Sequence, residues 1–254
     1  MGAGHAHALY VHEHSAIHHM APEAKLVATF LFVAAVAITP RQAIWAFAVY
    51  ALLLGALIGV SRVGPGFVAV RLAAVIPFIL FAVLIPFVAG GETVEVFGVD
   101  LSREGLWGAW NVVAKATMGA TASILLAATT EISEMLRGMS ILKVPPVLTA
   151  IAMFMVRYLV LVSGELGRMR TAMTARGYDP RWLWQAKPLA ASAGALFIRS
   201  YERGERVHAA MVARGFSGVM PDLDGTRATR ADWLRTSLLV GVAAAIAVAA
   251  LVVS

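Results

Sequence analysis

The chain has 254 residues, of which 59% are hydrophobic and only 14% are charged, and its formal net charge is +6. Soluble domains carry about 25% charged residues, so this composition excludes an ordinary water-soluble protein and indicates an integral membrane protein. The basic excess is typical of cytoplasmic loops beside anionic lipid, and we expect no nucleic-acid partner. The absence of cysteine excludes disulfides, thiolate catalysis and cysteine metal ligands.

The N-terminal residues are polar and His-rich, and they lack the basic-then-apolar order of a cleavable signal, so we expect them to be retained. Six histidines fall within 15 residues: His5, His7, His12, His14, His18 and His19. Two His-x-His pairs could bind Co, Ni, Cu or Zn. A polar tail rarely holds a fixed coordination geometry, so we favour incidental affinity and assign no metal ligand to this chain.

Five apolar stretches approach the ~20 residues that a helix needs to cross a bilayer. They are residues 25–39, 43–60, 67–89, 106–130 and 238–253. The third contains Pro77 and Pro86, which remove backbone donors, so we expect a kinked helix packed inside protein. Alternating valines from Val94 to Val99 predict a small β-hairpin near residues 90–105.

Charge predicts the side of the membrane on which each connection lies. The connection before the third stretch contains Arg62, with Arg71 close behind and no acid, whereas the hairpin carries four acids against one arginine. The positive-inside bias puts the basic connection in the cytoplasm and the hairpin outside. By parity the N-terminus is cytoplasmic, and the last helix ends outside.

Residues 131–232 do not fit the pattern of alternating spans. The segment from Pro145 to Gly177 begins apolar, contains Arg157 and continues as a polar helix for 33 residues. At 1.5 Å per residue it would reach about 50 Å, more than a bilayer core needs. If it crossed, the basic stretch after it would lie outside, against the bias. We therefore predict a long helix at or just below the cytoplasmic surface. Five spans follow from this interpretation, and six remain the alternative.

The predicted fold is an all-α integral membrane protein with about five transmembrane helices and a cytoplasmic or interfacial domain of long helices. The predicted domains are a cytoplasmic His-rich tail (1–21), a four-helix membrane domain (22–130), a cytoplasmic helical domain (131–232) and a last transmembrane helix (233–254). No Gly-Lys-Ser/Thr loop occurs, so the chain is not an ATPase, and no Ser/His/Asp arrangement indicates an enzyme.

The helical domain contains a repeat at an offset of 38 residues. The two copies are RMRTAMTARGYDP (168–180) and RVHAAMVARGFSG (206–218). Gly177 and Gly215 suit the left-handed residue that ends a helix. Arg176 and Arg214 therefore fall in the last turn, where the helix dipole favours a cation. A single Arg-Gly pair is usually no more than a good helix ending, but two matched copies favour paired docking.

Each copy predicts a slim helix tip. Alanines, among them Ala175 and Ala213, keep the helix narrow, and Met173 and Met211 provide an apolar surface one turn earlier. Each tip presents one planar guanidinium with five donors, which suits a carboxylate. Two similar tips predict two similar partner subunits.

These paired Ala-Arg-Gly segments resemble the signatures of the transmembrane T component of energy-coupling factor (ECF) transporters. The resemblance covers essentially the whole chain and is closest to the CbiQ subgroup of cobalt importers, with nickel relatives nearby. Matching positions outside the signatures are Pro22, Lys25 and Leu26 within residues 14–26, and Arg157, Tyr158 and Glu165 within residues 131–177.

The resemblance implies a non-catalytic subunit in the cytoplasmic (inner) membrane of a prokaryote. Its coupling helices would insert into two ATP-binding cassette ATPases and pass their motion to a membrane-embedded, CbiM-like substrate-binding component, with a small accessory membrane protein. ATP would bind in the ATPases and Co²⁺ or Ni²⁺ in the substrate-binding partner, so this chain would bind no cofactor. The coupling residues implied are Ala175, Arg176, Gly177, Ala213, Arg214 and Gly215, supported by Glu165, Met173 and Met211.

Alternatives remain open from the sequence alone. The cargo could be nickel or a vitamin, because specificity resides in another chain. A self-sufficient secondary permease would need a polar pathway at mid-membrane, and the spans offer little beyond Lys115. A tether for a soluble complex is a third class, and it predicts ATP hydrolysis that does not depend on the two arginines.

Overall fold

The computed structural model describes residues 10, 11, 13, 15–90, 93–96, 99–179, 182–218 and 227–253. Its helices are α1 (Pro22–Ile38), α2 (Ile44–Ser61), α3 (Pro65–Leu72), α4 (Ile76–Val88), α5 (Arg103–Thr129), α6 (Ile132–Ile141), α7 (Pro146–Ala175), α8 (Lys187–Ala213) and α9 (Arg230–Val253). Short 3₁₀ turns cover Ala73–Val75 and Leu183–Ala186. This element order confirms the all-α class.

Two four-residue strands, β1 (Thr93–Val96) and β2 (Val99–Ser102), pair antiparallel with Thr93 opposite Ser102. They form the only sheet in the described residues, and eight residues of strand do not change the fold class. Residues 97 and 98, which join the strands, lie outside the described part. The extracellular position assigned to this segment stays a prediction.

Five helical segments of the described chain are long and apolar enough to cross a membrane, by length and composition. They are Ile44–Ser61, Pro65–Val88, Arg103–Thr129, Pro146–Ala175 and Arg230–Val253. The predicted number of five candidate spans is confirmed, but the five helices are not all the predicted ones. Helix α1 has 17 residues, fewer than the ~20 that a span needs. Helix α7, which the charge argument places at the cytoplasmic surface, has sufficient length and hydrophobicity.

The second of these segments is interrupted where the sequence predicts a kink. A 3₁₀ turn at Ala73–Val75 separates α3 from α4, and Pro77 follows in the first turn of α4. Pro77 has no N–H to continue the hydrogen-bond ladder, so the interruption has a local cause. Pro86 lies inside α4 and is buried where α4 meets Gly105 of α5.

The chain forms two compact units. The bundle unit lies within residues 9–138 and 226–254, and the helix-pair unit lies within residues 139–225. The boundaries of the helix-pair unit fall a few residues inside those of the predicted domain 131–232.

The core of the bundle unit lies among α1, α2, α5 and α9. Tyr50 is fully buried, its ring meets Phe32 edge-to-face at 5.6 Å, and its hydroxyl donates to the Ala243 carbonyl at 3.1 Å. Lys115 donates to the Ala37 carbonyl at 2.7 Å, at the end of α1 where carbonyls lack intrahelical donors. Lys115, the one charged residue of the apolar stretch 106–130, thus provides a donor for an unpaired carbonyl at the end of α1.

Residues before α1 are fastened to the end of α5. The Val11 N–H donates to the Ala128 carbonyl at 3.0 Å. His18 Nε2 lies 3.1 Å from the Val11 carbonyl and therefore donates to it, while Nδ1 accepts from the Ser15 hydroxyl at 2.7 Å. Burial is the main reason that the pKa of His18 lies below its ordinary value. The neutral ring is thus the form that this packing favours.

Lys25, one of the positions that match the resembled family, joins α1 to the segment before it and to the end of α5. Its Nζ donates to the Thr129 carbonyl at 2.8 Å and to the His18 carbonyl at 3.2 Å. Thr129 is the last residue of α5, so its carbonyl would otherwise be unsatisfied. Two residues earlier, the buried Glu23 carboxylate accepts from the Ala228 N–H, which ties the start of α1 to the segment before α9.

Candidate functional site: the tips of helices α7 and α8

Both predicted helix tips end in the same backbone motif. Arg176 follows the last residue of α7 and Arg214 the last residue of α8, and the next residues, Gly177 and Gly215, have φ of +80° and +85°. The Gly177 N–H donates to the Thr174 carbonyl at 2.9 Å, and the Gly215 N–H donates to the Val212 carbonyl at 2.9 Å. A left-handed C′ glycine with these bonds is the Schellman ending. The prediction that these glycines end the helices is confirmed.

The repeated methionine and aromatic residue belong to the same motif. Tyr178 N–H donates to the Met173 carbonyl at 3.1 Å, and Phe216 N–H donates to the Met211 carbonyl at 3.0 Å. In a Schellman ending these two positions commonly make an apolar contact across the last turn. The methionine, the glycine and the aromatic residue thus fall at the positions that such a helix end favours. The sequence pattern alone predicts only an apolar surface for these methionines.

The two arginines are available to a partner. Arg176 and Arg214 are exposed, as are Ala175 and Ala213 beside them. Within the described residues, neither guanidinium has a hydrogen-bond or ion-pair partner. A guanidinium placed at the carbonyl end of a helix, with its donors free, can bind a carboxylate in a two-bond geometry.

Glu165 joins α7 to α8. Its carboxylate is 13% exposed, and its two oxygens lie 3.2 Å from Arg199 Nη1 and 3.7 Å from Arg203 Nη2. Arg199 and Arg203 are one turn apart on α8, so a single carboxylate meets both. A second contact joins the Ser192 hydroxyl to Met173 Sδ at 3.4 Å.

These contacts fix the direction of the two helices. Early residues of α8 meet late residues of α7, and later residues of α8 meet earlier ones of α7, so the helices run antiparallel. Their C-terminal tips therefore point away from each other. Arg176 lies three residues beyond Met173, about 5 Å along the axis, and Arg214 lies eleven residues beyond Arg203, about 16 Å.

The two tips differ in the chain segments that come after them. After the first tip, the Tyr178 hydroxyl donates to the Gln185 carbonyl at 2.6 Å, which holds the connection to α8 close to the helix end. After the second tip, the structure describes the chain only to Gly218. The first tip is thus the more closely braced of the two in the described residues.

Of the predicted site residues, the structure brings Glu165 and Met173 into the contact between α7 and α8. It places the Ala-Arg-Gly triplets at opposite ends of the pair, with Met211 inside the second ending. Sequence reasoning missed the partners of these residues, Arg199, Arg203 and Ser192. Two arginines spaced by four on a helix facing one acid are a usable signal, but only once the register of both helices is known.

The described residues contain no group of three or more His, Asp or Glu side chains arranged to hold a metal ion. His5, His7, His12 and His14 lie outside the described part of the chain. Both ring nitrogens of His18 are engaged by Val11 and Ser15, as the fold around α1 requires.

A family model matches most of this chain, and individual relatives match about half of it. A family model described as the cobalt transport protein CbiQ matches residues 13–223. A cobalt transport protein CbiQ of Rhodobacter capsulatus is 30% identical over 124 residues, 48% of this chain and 50% of the relative. A protein of Methanocorpusculum labreanum, named as a fused cobalt transport protein CbiMQ, is 26% identical over 152 residues, 57% of this chain and 25% of the relative.

An uncharacterised protein of Methanocaldococcus jannaschii is 28% identical over 127 residues, 49% of this chain and 47% of the relative. The chain thus matches about half or less of the length of these curated relatives.

Proposed function

The chain belongs to the CbiQ family of cobalt transport proteins, and from that premise we propose that it is the coupling component of an ATP-driven cobalt importer of the ECF type. It is a multi-pass membrane protein, and it would transmit motion without carrying out chemistry of its own. Co²⁺ is the cargo we propose, held by another subunit.

The observation that carries this proposal is the pair of helix tips. Two Schellman endings present Arg176 and Arg214, both exposed and without a partner among the described residues, at opposite ends of one antiparallel helix pair. Two ATP-binding cassette ATPases would each receive one tip, with an acidic groove around the guanidinium. A charge-assisted, two-bond contact between arginine and carboxylate suits a joint that must transmit force and remain specific.

The helix pair would carry ATPase motion to the membrane. As the ATPases close on ATP, they would displace the two tips. The contacts of Glu165 with Arg199 and Arg203 keep α7 and α8 together, so displacement at one tip would move the other helix as well. The helices would pass this motion to a membrane-embedded substrate-binding subunit. The relative named CbiMQ, in which CbiM and CbiQ are fused, supports a CbiM-like protein in that role.

The proposal fixes the position of the chain in the cell. The tips must face the cytoplasm, where ATP is available, so the chain would lie in the inner membrane of a prokaryote. Its N-terminus would be cytoplasmic and its last helix would end outside. The basic connection at Arg62 agrees with this orientation.

Charge reversal at both tips tests the docking claim. In the double variant Arg176→Glu/Arg214→Glu, each site would present an anion to an acidic groove, so the ATPases should no longer co-purify with the chain in detergent. Cobalt uptake by cells that depend on this transporter should fall to background. Each single variant should retain part of the association, because one tip remains.

A matched double variant controls for the change in net charge. Arg170→Glu/Arg206→Glu adds the same charges to the same two helices, at exposed positions away from the tips, and should leave co-purification intact. The docking claim is wrong if the tip variant co-purifies and transports like the wild type. A tether without coupling would instead lose association while the ATPases kept their full ATP hydrolysis.

A further inference from the structure

The bundle unit contains a cavity of about 320 Å³ between the N-terminal segment and helices α1, α2, α5 and α9. Twelve of its seventeen lining residues are apolar. The others are Lys25, Thr29, Thr129, Arg235 and Thr236. None of the lining residues belongs to the helix tips at Arg176 and Arg214.

Most of the polar lining is gathered at one end. Lys25 Nζ lies 2.8 Å from the Thr129 carbonyl, and the Thr236 hydroxyl donates to the Ala24 carbonyl, next to Lys25, at 3.3 Å. Arg235 adjoins Thr236 on α9. These residues therefore share one level of the bundle, where α1 and α9 begin and α5 ends.

The opposite end is apolar on every helix that reaches it. Phe32 lies seven residues beyond Lys25 on α1, about 10 Å deeper. Ala122 lies equally far from Thr129 on α5, and Leu54 and Leu57 line the wall from α2. The cavity thus runs about 10 Å from a cationic end to an apolar end. A volume of ~300 Å³ is the lower range for small-ligand sites.

Within the described residues, the one acid in ion-pair distance of the cationic end is Asp232, which pairs with Arg235 and not with Lys25. Lys25 is 5% exposed and donates to two carbonyls, and no carboxylate lies within ion-pair distance of it. Arg235 is 3.9 Å from Asp232 and is largely exposed. An ammonium has three donors, so one remains for a ligand. Buried cations are favourable only when compensated, which makes an anionic group the complementary ligand.

We propose that this cavity binds one anionic phospholipid, with its phosphate at Lys25 and Arg235 and part of one acyl chain between α1, α2 and α5. The tail requires apolar walls and the head requires cations, and the cavity offers both in that order. The polar end lies where helices of a membrane protein begin and end, which is the level of lipid headgroups. Basic pockets between membrane helices on the cytoplasmic side bind such headgroups.

Lipid titration of the delipidated full-length chain tests this proposal by native mass spectrometry. Phosphatidylglycerol should bind with a dissociation constant several-fold lower than that of phosphatidylcholine. Arg235→Gln should weaken phosphatidylglycerol binding by about fivefold, the contribution typical of one basic residue near anionic lipid. Leu57→Trp, which fills the cavity from α2, should abolish the binding of one lipid.

Leu52→Trp is the matched control, because Leu52 lies on the same helix but is 74% exposed, and this variant should bind phosphatidylglycerol normally. Should Leu57→Trp fail to fold, the Arg235→Gln titration still decides the matter. The proposal is overturned if the filled variant binds like the wild type, or if the two lipids bind equally. It is also overturned if inorganic phosphate competes as well as the whole lipid, since a headgroup site would then need no acyl chain.

Discussion

The glycines of α7 and α8 are of two kinds: those that end the helices have a left-handed backbone, and those inside the helices have a helical backbone. Gly177 and Gly215 have φ of +80° and +85°, and a Cβ at either position would meet no atom within 4 Å. A side chain there would therefore cost backbone energy alone, about 1–2 kcal/mol for a left-handed residue. Gly167 and Gly204 lie inside the helices with equally open surroundings, so alanine there should be favourable.

We therefore expect the substitution of glycine by alanine to lower stability at the helix ends and to raise it inside the helices. Gly177→Ala/Gly215→Ala should fray the helix ends, displace the arginines and weaken ATPase co-purification, with a small loss of thermal stability. Gly167→Ala/Gly204→Ala should raise the stability of the helix pair, by up to about 1 kcal/mol per site from helix propensity. Thermal melting measures the stability of each double variant, and co-purification measures its association with the ATPases. Equal behaviour of the two double variants would show that the left-handed endings do not position the arginines.

The residue scale is also where sequence reasoning succeeds most fully. A helix ending depends on a few adjacent residues, so Gly177 and Gly215 could be assigned from the sequence. The paired roles of Met173 and Tyr178 follow from the same local rule and could have been inferred with it. The contact of Glu165 with Arg199 could not, because 34 residues separate them and no local pattern fixes the register between two helices.

At the scale of elements, α4 and α5 meet so closely that one glycine is obligatory. A Cβ on Gly105 would lie 2.5 Å from the Cα of Pro86 and 3.1 Å from the Ala89 Cβ. The obstacle is backbone, which cannot rotate away as a side chain can. Pro86, expected from sequence only to bend its helix, is thus also the surface on which α5 packs.

Gly105→Ala should therefore push α4 from α5 and lower the stability of the bundle unit by about 1–3 kcal/mol, the usual cost of overpacking. The control is Gly119→Ala on the same helix, where a Cβ would lie at an ordinary 4.0 Å from Val33, and which should melt at or slightly above the wild-type temperature because alanine favours a helix interior. Thermal unfolding in detergent compares the two. A Gly105→Ala variant as stable as the Gly119→Ala variant would contradict the close packing of α4 on α5.

Element boundaries followed the sequence closely where hydrophobicity or proline determines them. The second apolar stretch, predicted over 43–60, is the helix Ile44–Ser61, and the interruption before Pro77 has the predicted cause. The last helix begins at Arg230, eight residues before its predicted start, because polar residues such as Asp232 extend it beyond the apolar run. Hydropathy detects the part of a helix that lies in lipid and misses its polar extension.

At the scale of the whole molecule, helix length and charge distribution favour different sets of spans. By length and composition, α7 qualifies as a membrane span and α1 does not. The charge distribution includes α1 and keeps α7 at the cytoplasmic surface, because eleven Lys and Arg against seven acids follow between Glu165 and Asp232. Hydropathy alone cannot decide between them, since a surface helix and a spanning helix can share an apolar face.

The side of the membrane occupied by three residues distinguishes the two sets, and the cysteine-free chain allows each to be labelled singly. If α1 crosses and α7 does not, Ala16→Cys and Ser217→Cys should react with an impermeant maleimide only in inside-out vesicles, and Val94→Cys only in intact cells. All three residues are exposed, so reactivity reports sidedness. Labelling of Ser217→Cys from outside would mean that α7 crosses, which would put both arginine tips on the wrong side for ATPases. Labelling of Ala16→Cys from outside, with Ser217→Cys still protected, would mean that α1 does not cross, and ATPase docking would remain possible.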